Sequence, residues 1–157
     1  MKPRLYLETT IPSYLVARRS RDLRLAADQQ ATKEWWEWRR HDFDLCVSEA
    51  VFREAARGDP IFAAARLERL HGIPVLAPLP AAEELAERLL REGIIPPIAA
   101  DDAAHLGFAA AHNMDFLLTW NCRHINNRAL QRRIEQACAA CGLPCPVICT
   151  PTELMNP

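Results

Sequence analysis

A chain of 157 residues is the size that one hydrophobic core supports, and no linker-like stretch interrupts it, so residues 1–157 are expected to form a single domain. Half the residues are hydrophobic and 25% are charged, which excludes a disordered chain. No run approaches the roughly 20 apolar residues of a membrane span, and the N-terminus lacks a signal peptide's apolar stretch, so a cytoplasmic protein with no membrane partner is expected. A net charge of −1 excludes coating of nucleic acid by bulk charge but leaves room for local patches. Arg18, Arg19, Arg21 and Arg24 form one such patch, read first as a solvated surface loop and second as a phosphate contact.

The first strand is expected at Arg4 to Leu7, ending at Glu8, Thr9 and Thr10, with a short helix from about Pro12. A longer helix follows from about Asp22 to Arg40, its apolar positions being Leu23, Leu25, Ala26, Ala31, Trp35 and Trp38. Leu45 to Val47 reads as a buried strand, and Ser48 as the cap of a helix opening at Glu49 and closing at Gly58. Asp59 and Pro60 begin the next helix, ended by Gly72. Val75 to Ala77 is a weak strand, and Ala81 to Arg91 a helix. Asp101 or Asp102 caps another helix through about Ala111. Phe116 to Thr119 is a strand, Ala129 to Cys141 the last long helix, and Val147 to Cys149 the last strand. Alternating strands and helices imply an α/β fold with a mostly parallel sheet covered on both faces.

The six cysteines are expected as free thiols, since neither a signal nor a small secreted size supports a disulfide framework. Cys138, Cys141, Cys145 and Cys149 have a spacing that invites a zinc reading, but a helix and a strand would have to converge for it, and the weaker expectation is a metal there.

In open parallel sheets ligands bind beyond the carboxyl ends of the strands. That rule selects Glu8 after the first strand, Glu54 in the helix after the second, Asp101 or Asp102 at the helix before the fourth, and Asn121 after the fourth. Each acid alone has a plainer explanation as a cap or an exposed helix residue. Gathered in one pocket, they would repel one another without a cation, and oxygen donors of this kind suit a hard divalent metal.

The segments LYLETTIPSYL at 5–15, SEAVFREAARGDP at 48–60, AADDAAHLGFAAAHNMDFLLTWNCRHI at 99–125 and PVICTPTEL at 146–154 together resemble a PIN domain, closest to the prokaryotic branch that includes VapC-like toxins. The resemblance spans nearly the whole chain. It implies a PIN-like three-layer fold with a central sheet of about five strands flanked by helices. It also implies a Mg²⁺- or Mn²⁺-dependent ribonuclease of the toxin–antitoxin kind, acting on RNA, forming a homodimer, and silenced by an antitoxin protein. Carried over position by position, Glu8, Glu54, Asp102 and Asn121 are the catalytic and metal-site residues. Glu8 stands where Asp is usual and Asn121 where Asp is frequent. The same match puts Thr10 and Thr119 near the pocket, with hydroxyls able to orient an acid. His105, three residues after Asp102 and able to face the same side of the helix, is expected first as a satisfied structural histidine and second as a catalytic base, and Arg123 and His124 as turn residues with either a phosphate-contacting or a capping or salt-bridging role. A PIN-fold module that binds RNA or protein with little or no catalysis is the alternative.

Overall fold

The computed structural model describes residues 1–156. Short apolar runs become the parallel strands β1 (Arg4–Leu7), β2 (Asp44–Ser48), β3 (Val75–Leu76), β4 (Phe116–Leu118) and β5 (Val147–Cys149). They form one sheet in the order β3-β2-β1-β4-β5. Leu5 registers with Leu45 on one side and Phe116 on the other, and Tyr6 with Cys46 and Leu117. Leu5, Tyr6 and Leu7 are all fully buried, as a central strand covered on both faces requires.

The helices are α1 (Thr10–Val16), α2 (Leu23–Trp38), α3 (Glu49–Ala55), α4 (Pro60–Leu70), α5 (Pro80–Arg91), α6 (Ala100–Ala111) and α7 (Arg128–Ala140). They flank the sheet in a three-layer α/β arrangement. Helix α1 packs on α2 and α4, while α5 packs on α6 and α7. Asp59 opens α4 as expected, its Oδ1 accepting from the Ile61 N–H at 2.9 Å with Pro60 in the first turn. Helices α5 and α6 approach so closely at Gly107 that a Cβ there would lie 2.3 Å from the Ala82 carbonyl oxygen.

Three local expectations are corrected. Of the apolar positions assigned to α2, Trp35 is buried as expected, but Leu23 is 85% exposed and Trp38 62% exposed, and the rest of the buried face is Gln29, Thr32 and Trp36. Gln29 is held by the Ser20 N–H and the Arg18 carbonyl, and Thr32 accepts the Trp120 indole N–H at 2.7 Å, so polar side chains with partners displace apolar ones. Ser48 occupies the position before α3 but makes no capping bond, because its hydroxyl pairs with the Tyr6 hydroxyl at 2.7 Å. Neither Asp101 nor Asp102 caps α6. A 3₁₀ turn at Pro97–Ala99 carries the chain into the helix early, Ala99 takes the cap position, and both acids lie in the first turn.

All six cysteines are free thiols. Among the described residues, no helix is long and apolar enough to cross a membrane.

Candidate metal centre

The sheet order reverses direction at β1, whose neighbours are β2 and β4. A crevice opens at such a switch point beyond the carboxyl ends of the strands. Glu8 follows β1 there and Thr119 follows β4. The Glu8 N–H donates to the Leu118 carbonyl at 3.1 Å, which extends the ladder by one residue and fixes the Glu8 side chain at the crevice.

Glu8 is 2% exposed. Its Oε1 accepts from the Thr10 N–H at 3.1 Å, the Thr119 hydroxyl at 2.7 Å and the Thr10 hydroxyl. Its Oε2 accepts no hydrogen bond, yet it is not an enclosed orphan, so it faces the crevice. Burial pushes the Glu8 pKa up, and the nearby His105 and the three donors only partly offset that push.

Glu54, on α3, turns the same way. Its Oε1 accepts from the Thr9 hydroxyl at 2.7 Å and contacts His105 Nε2, leaving Oε2 without a hydrogen bond. Burial raises its pKa, but the hydrogen bond and charge of His105, with Thr9, outweigh that and hold it below the ordinary carboxylate value. His105, fully buried on α6, bridges Glu54 and the Tyr6 hydroxyl, the latter 2.7 Å from Nδ1. Burial alone would lower the His105 pKa; Glu54, Glu8 and Asp102 reverse the direction and raise it.

Among the described residues, Glu8, Glu54 and His105 are the acidic or imidazole side chains whose ligand atoms gather within 4.8 Å of one another. The helix-and-strand cysteines do not gather in this way. Asp102 is not one of the three. It adjoins them closely enough for its charge to act on His105, while its Oδ2 lies 2.9 Å from His124 Nδ1. Asn121 is turned to its own loop: Oδ1 accepts the His124 N–H at 3.0 Å, and its backbone N–H donates to the Thr119 hydroxyl. Asp101 faces elsewhere and pairs with Arg53 at 3.3 Å and Arg57 at 3.0 Å.

The donor set passes a simple test for a hard divalent cation. Two carboxylates meet at the crevice, Glu8 buried and Glu54 part-exposed, each with one oxygen uncommitted; neither forms a salt bridge with Arg or Lys, and Glu54 is paired with His105. The arginines of α3 and its C-terminal turn are engaged by Asp101 instead. Sequence reasoning found Glu8, Glu54, Thr10 and Thr119, but missed the parts of Tyr6, Ser48 and Thr9, and it ranked a structural role for His105 above one at the acidic group. The only sequence signal for His105 was its place three residues after Asp102 on one helix.

No family model matches this chain, and no curated protein matches it at a significant level.

Proposed function

We propose that this protein is a PIN-like, metal-dependent endoribonuclease that hydrolyses RNA phosphodiester bonds. The observation that carries the reading is the convergence of Glu8 and Glu54 at the β1/β4 switch point, each with a free oxygen and without an arginine or lysine partner. In this reading Glu8, Glu54 and Asp102 hold Mg²⁺ or Mn²⁺, and Asn121 orients water or substrate from the rim. A divalent cation bound there supplies Lewis acidity, lowers the pKa of water and offsets charge on the phosphate.

The protein's own groups do the positioning. Thr10 and Thr119 fix Glu8 in one rotamer, leaving Oε2 aimed at the crevice. Thr9 and His105 do the same for Glu54, and Tyr6 and Ser48 fix the His105 ring from behind. Such buried polar chains hold ligands within the tolerance that in-line displacement needs. The resemblance over 5–15, 48–60, 99–125 and 146–154 adds toxin–antitoxin context, a homodimer and an antitoxin partner to the proposal.

A non-catalytic RNA- or protein-binding module is the second reading, favoured by the His105 contact that already occupies Glu54 and by the engagement of Asp102 and Asn121 with His124. Mn²⁺ titration followed by cleavage of labelled RNA separates the two. Binding with metal-dependent cutting supports the nuclease, and absence of both supports the module.

A further inference from the structure

At the rim of the crevice, Tyr14 and Trp120 lie in a parallel, offset stack, with ring centroids 5.8 Å apart and planes within 8°. Both are part-exposed. The pair is tied directly to the acidic group. The Trp120 N–H donates at 2.8 Å to the Thr10 hydroxyl, and that hydroxyl donates to Glu8. Tyr14 lies one turn beyond Thr10 on α1, so the two share a helix face. The indole orientation is fixed at its far end by the 2.7 Å bond from Nε1 to the Thr32 hydroxyl. This buried anchor explains why a threonine interrupts the packed face of α2.

Tyr14 has no comparable anchor. Its hydroxyl makes no hydrogen bond among the described residues, and the ring is not part of the core packing. An aromatic side chain that is neither core nor hydrogen-bonded, stacked on a locked indole beside a phosphate-hydrolysing centre, has the chemistry of a base platform. Nucleobases gain stacking energy on such faces only when they have left their own helix.

We propose that Tyr14 and Trp120 form a stacking shelf for an unpaired nucleobase beside the scissile phosphate, so that the enzyme selects single-stranded RNA. This rests on the nuclease reading above. The shelf is sequence-tolerant, because every base offers a π-face. It acts through position: a base seated on it fixes the register of the neighbouring phosphate against Glu8.

The test uses the full chain with Mn²⁺ and a labelled single-stranded RNA, beside the same RNA annealed to its complement. The variants are Tyr14→Leu, Tyr14→Phe and Trp120→Leu, each first shown to unfold at a temperature close to wild type. The expected result is a roughly tenfold rise in KM for Tyr14→Leu and for any Trp120→Leu that folds, with kcat little changed and Tyr14→Phe near wild type. An RNA with one abasic nucleotide next to the cut should cost wild type the same factor and cost Tyr14→Leu nothing further. Three outcomes overturn the shelf while leaving the nuclease intact: metal-dependent cutting unchanged by Tyr14→Leu, an equal loss in Tyr14→Phe, or full additivity of Tyr14→Leu with the abasic site. Absence of metal-dependent cutting by wild type overturns the nuclease reading and the shelf with it.

Discussion

Replacing Glu8 by Gln separates its structural role from its proposed metal role. A glutamine can keep its Oε1 where the Thr10 N–H, the Thr10 hydroxyl and the Thr119 hydroxyl now donate. Bonds to a charged acceptor exceed neutral ones by about 1 kcal/mol each, so three weakened bonds cost about 3 kcal/mol. Against this, burying a carboxylate costs several kcal/mol, and the raised Glu8 pKa shows that burial is the larger effect. His105 loses a charged neighbour in the exchange, so the metal-free variant should melt at or slightly above the wild-type temperature. With Mn²⁺ at about 100 times its Kd, wild type should gain about 2.7 kcal/mol, or about 5–11 °C, and Glu8→Gln should lose most of that gain. Thermal unfolding by circular dichroism at neutral pH, with Mn²⁺ or with EDTA, measures both arms. The reasoning is refuted if Glu8→Gln melts several degrees below metal-free wild type, or if Mn²⁺ stabilises the variant as much as the parent.

The pH dependence follows from the same residue. Because the folded pKa of Glu8 is raised, the penalty for its charge is absent below the unfolded pKa and grows as pH rises through the folded value. Mn²⁺ stabilisation should accordingly fade as pH drops, starting above the ordinary carboxylate range, as calorimetric titration at several pH values will read. Asp101, whose pKa burial would raise but Arg57 and Arg53 lower, contributes stability that is present above its unfolded pKa and lost as pH falls. Asp101→Asn should cost at most about 1 kcal/mol by urea melts at neutral pH and leave Mn²⁺ binding intact, whereas Asp102→Asn should weaken it. Tyr6→Phe leaves both Ser48 and His105 Nδ1 without their buried partner and should cost about 1–3 kcal/mol in the same melts. Gly107→Ala drives a methyl into the Ala82 carbonyl and should destabilise by about 1–3 kcal/mol with no direct effect on metal affinity.

The strands were legible because each is a short apolar run between turn residues, and a parallel sheet buries both faces, so Leu5, Tyr6 and Leu7 need no alternation to be recognised. The opening of α4 was legible because Asp59 and Pro60 act on adjacent backbone groups. What stayed hidden depended on distant partners. Thr32 is buried on α2 because of an indole 88 positions away, and Ser48 forgoes its cap for a hydroxyl 42 positions away. The face of α2 was read correctly at Trp35 but misread elsewhere for that reason, since hydropathy alone favoured the exposed Leu23 and Trp38. The acids were found by a topological rule that fixes strand ends but not rotamers. It selected Glu8 and Glu54, which meet, and Asp102 and Asn121, which are engaged by His124 instead, yet had no means to see that His105, 51 positions from Glu54 and 99 from Tyr6, joins the first two through a continuous polar chain.

If the Glu8 and Glu54 crevice holds a divalent metal as proposed, the protein cuts RNA with it. Incubation of the full chain with end-labelled single-stranded RNAs, in Mn²⁺, in Mg²⁺ and in EDTA, beside Glu8→Gln and Asp102→Asn, tests it most directly. Defined cleavage products are expected with either metal, none in EDTA, and a loss of at least a hundredfold in both variants, about 2.7 kcal/mol of transition-state stabilisation. Cleavage that persists in EDTA or in Glu8→Gln, or a wild-type protein that neither binds Mn²⁺ nor cuts any RNA, would contradict it.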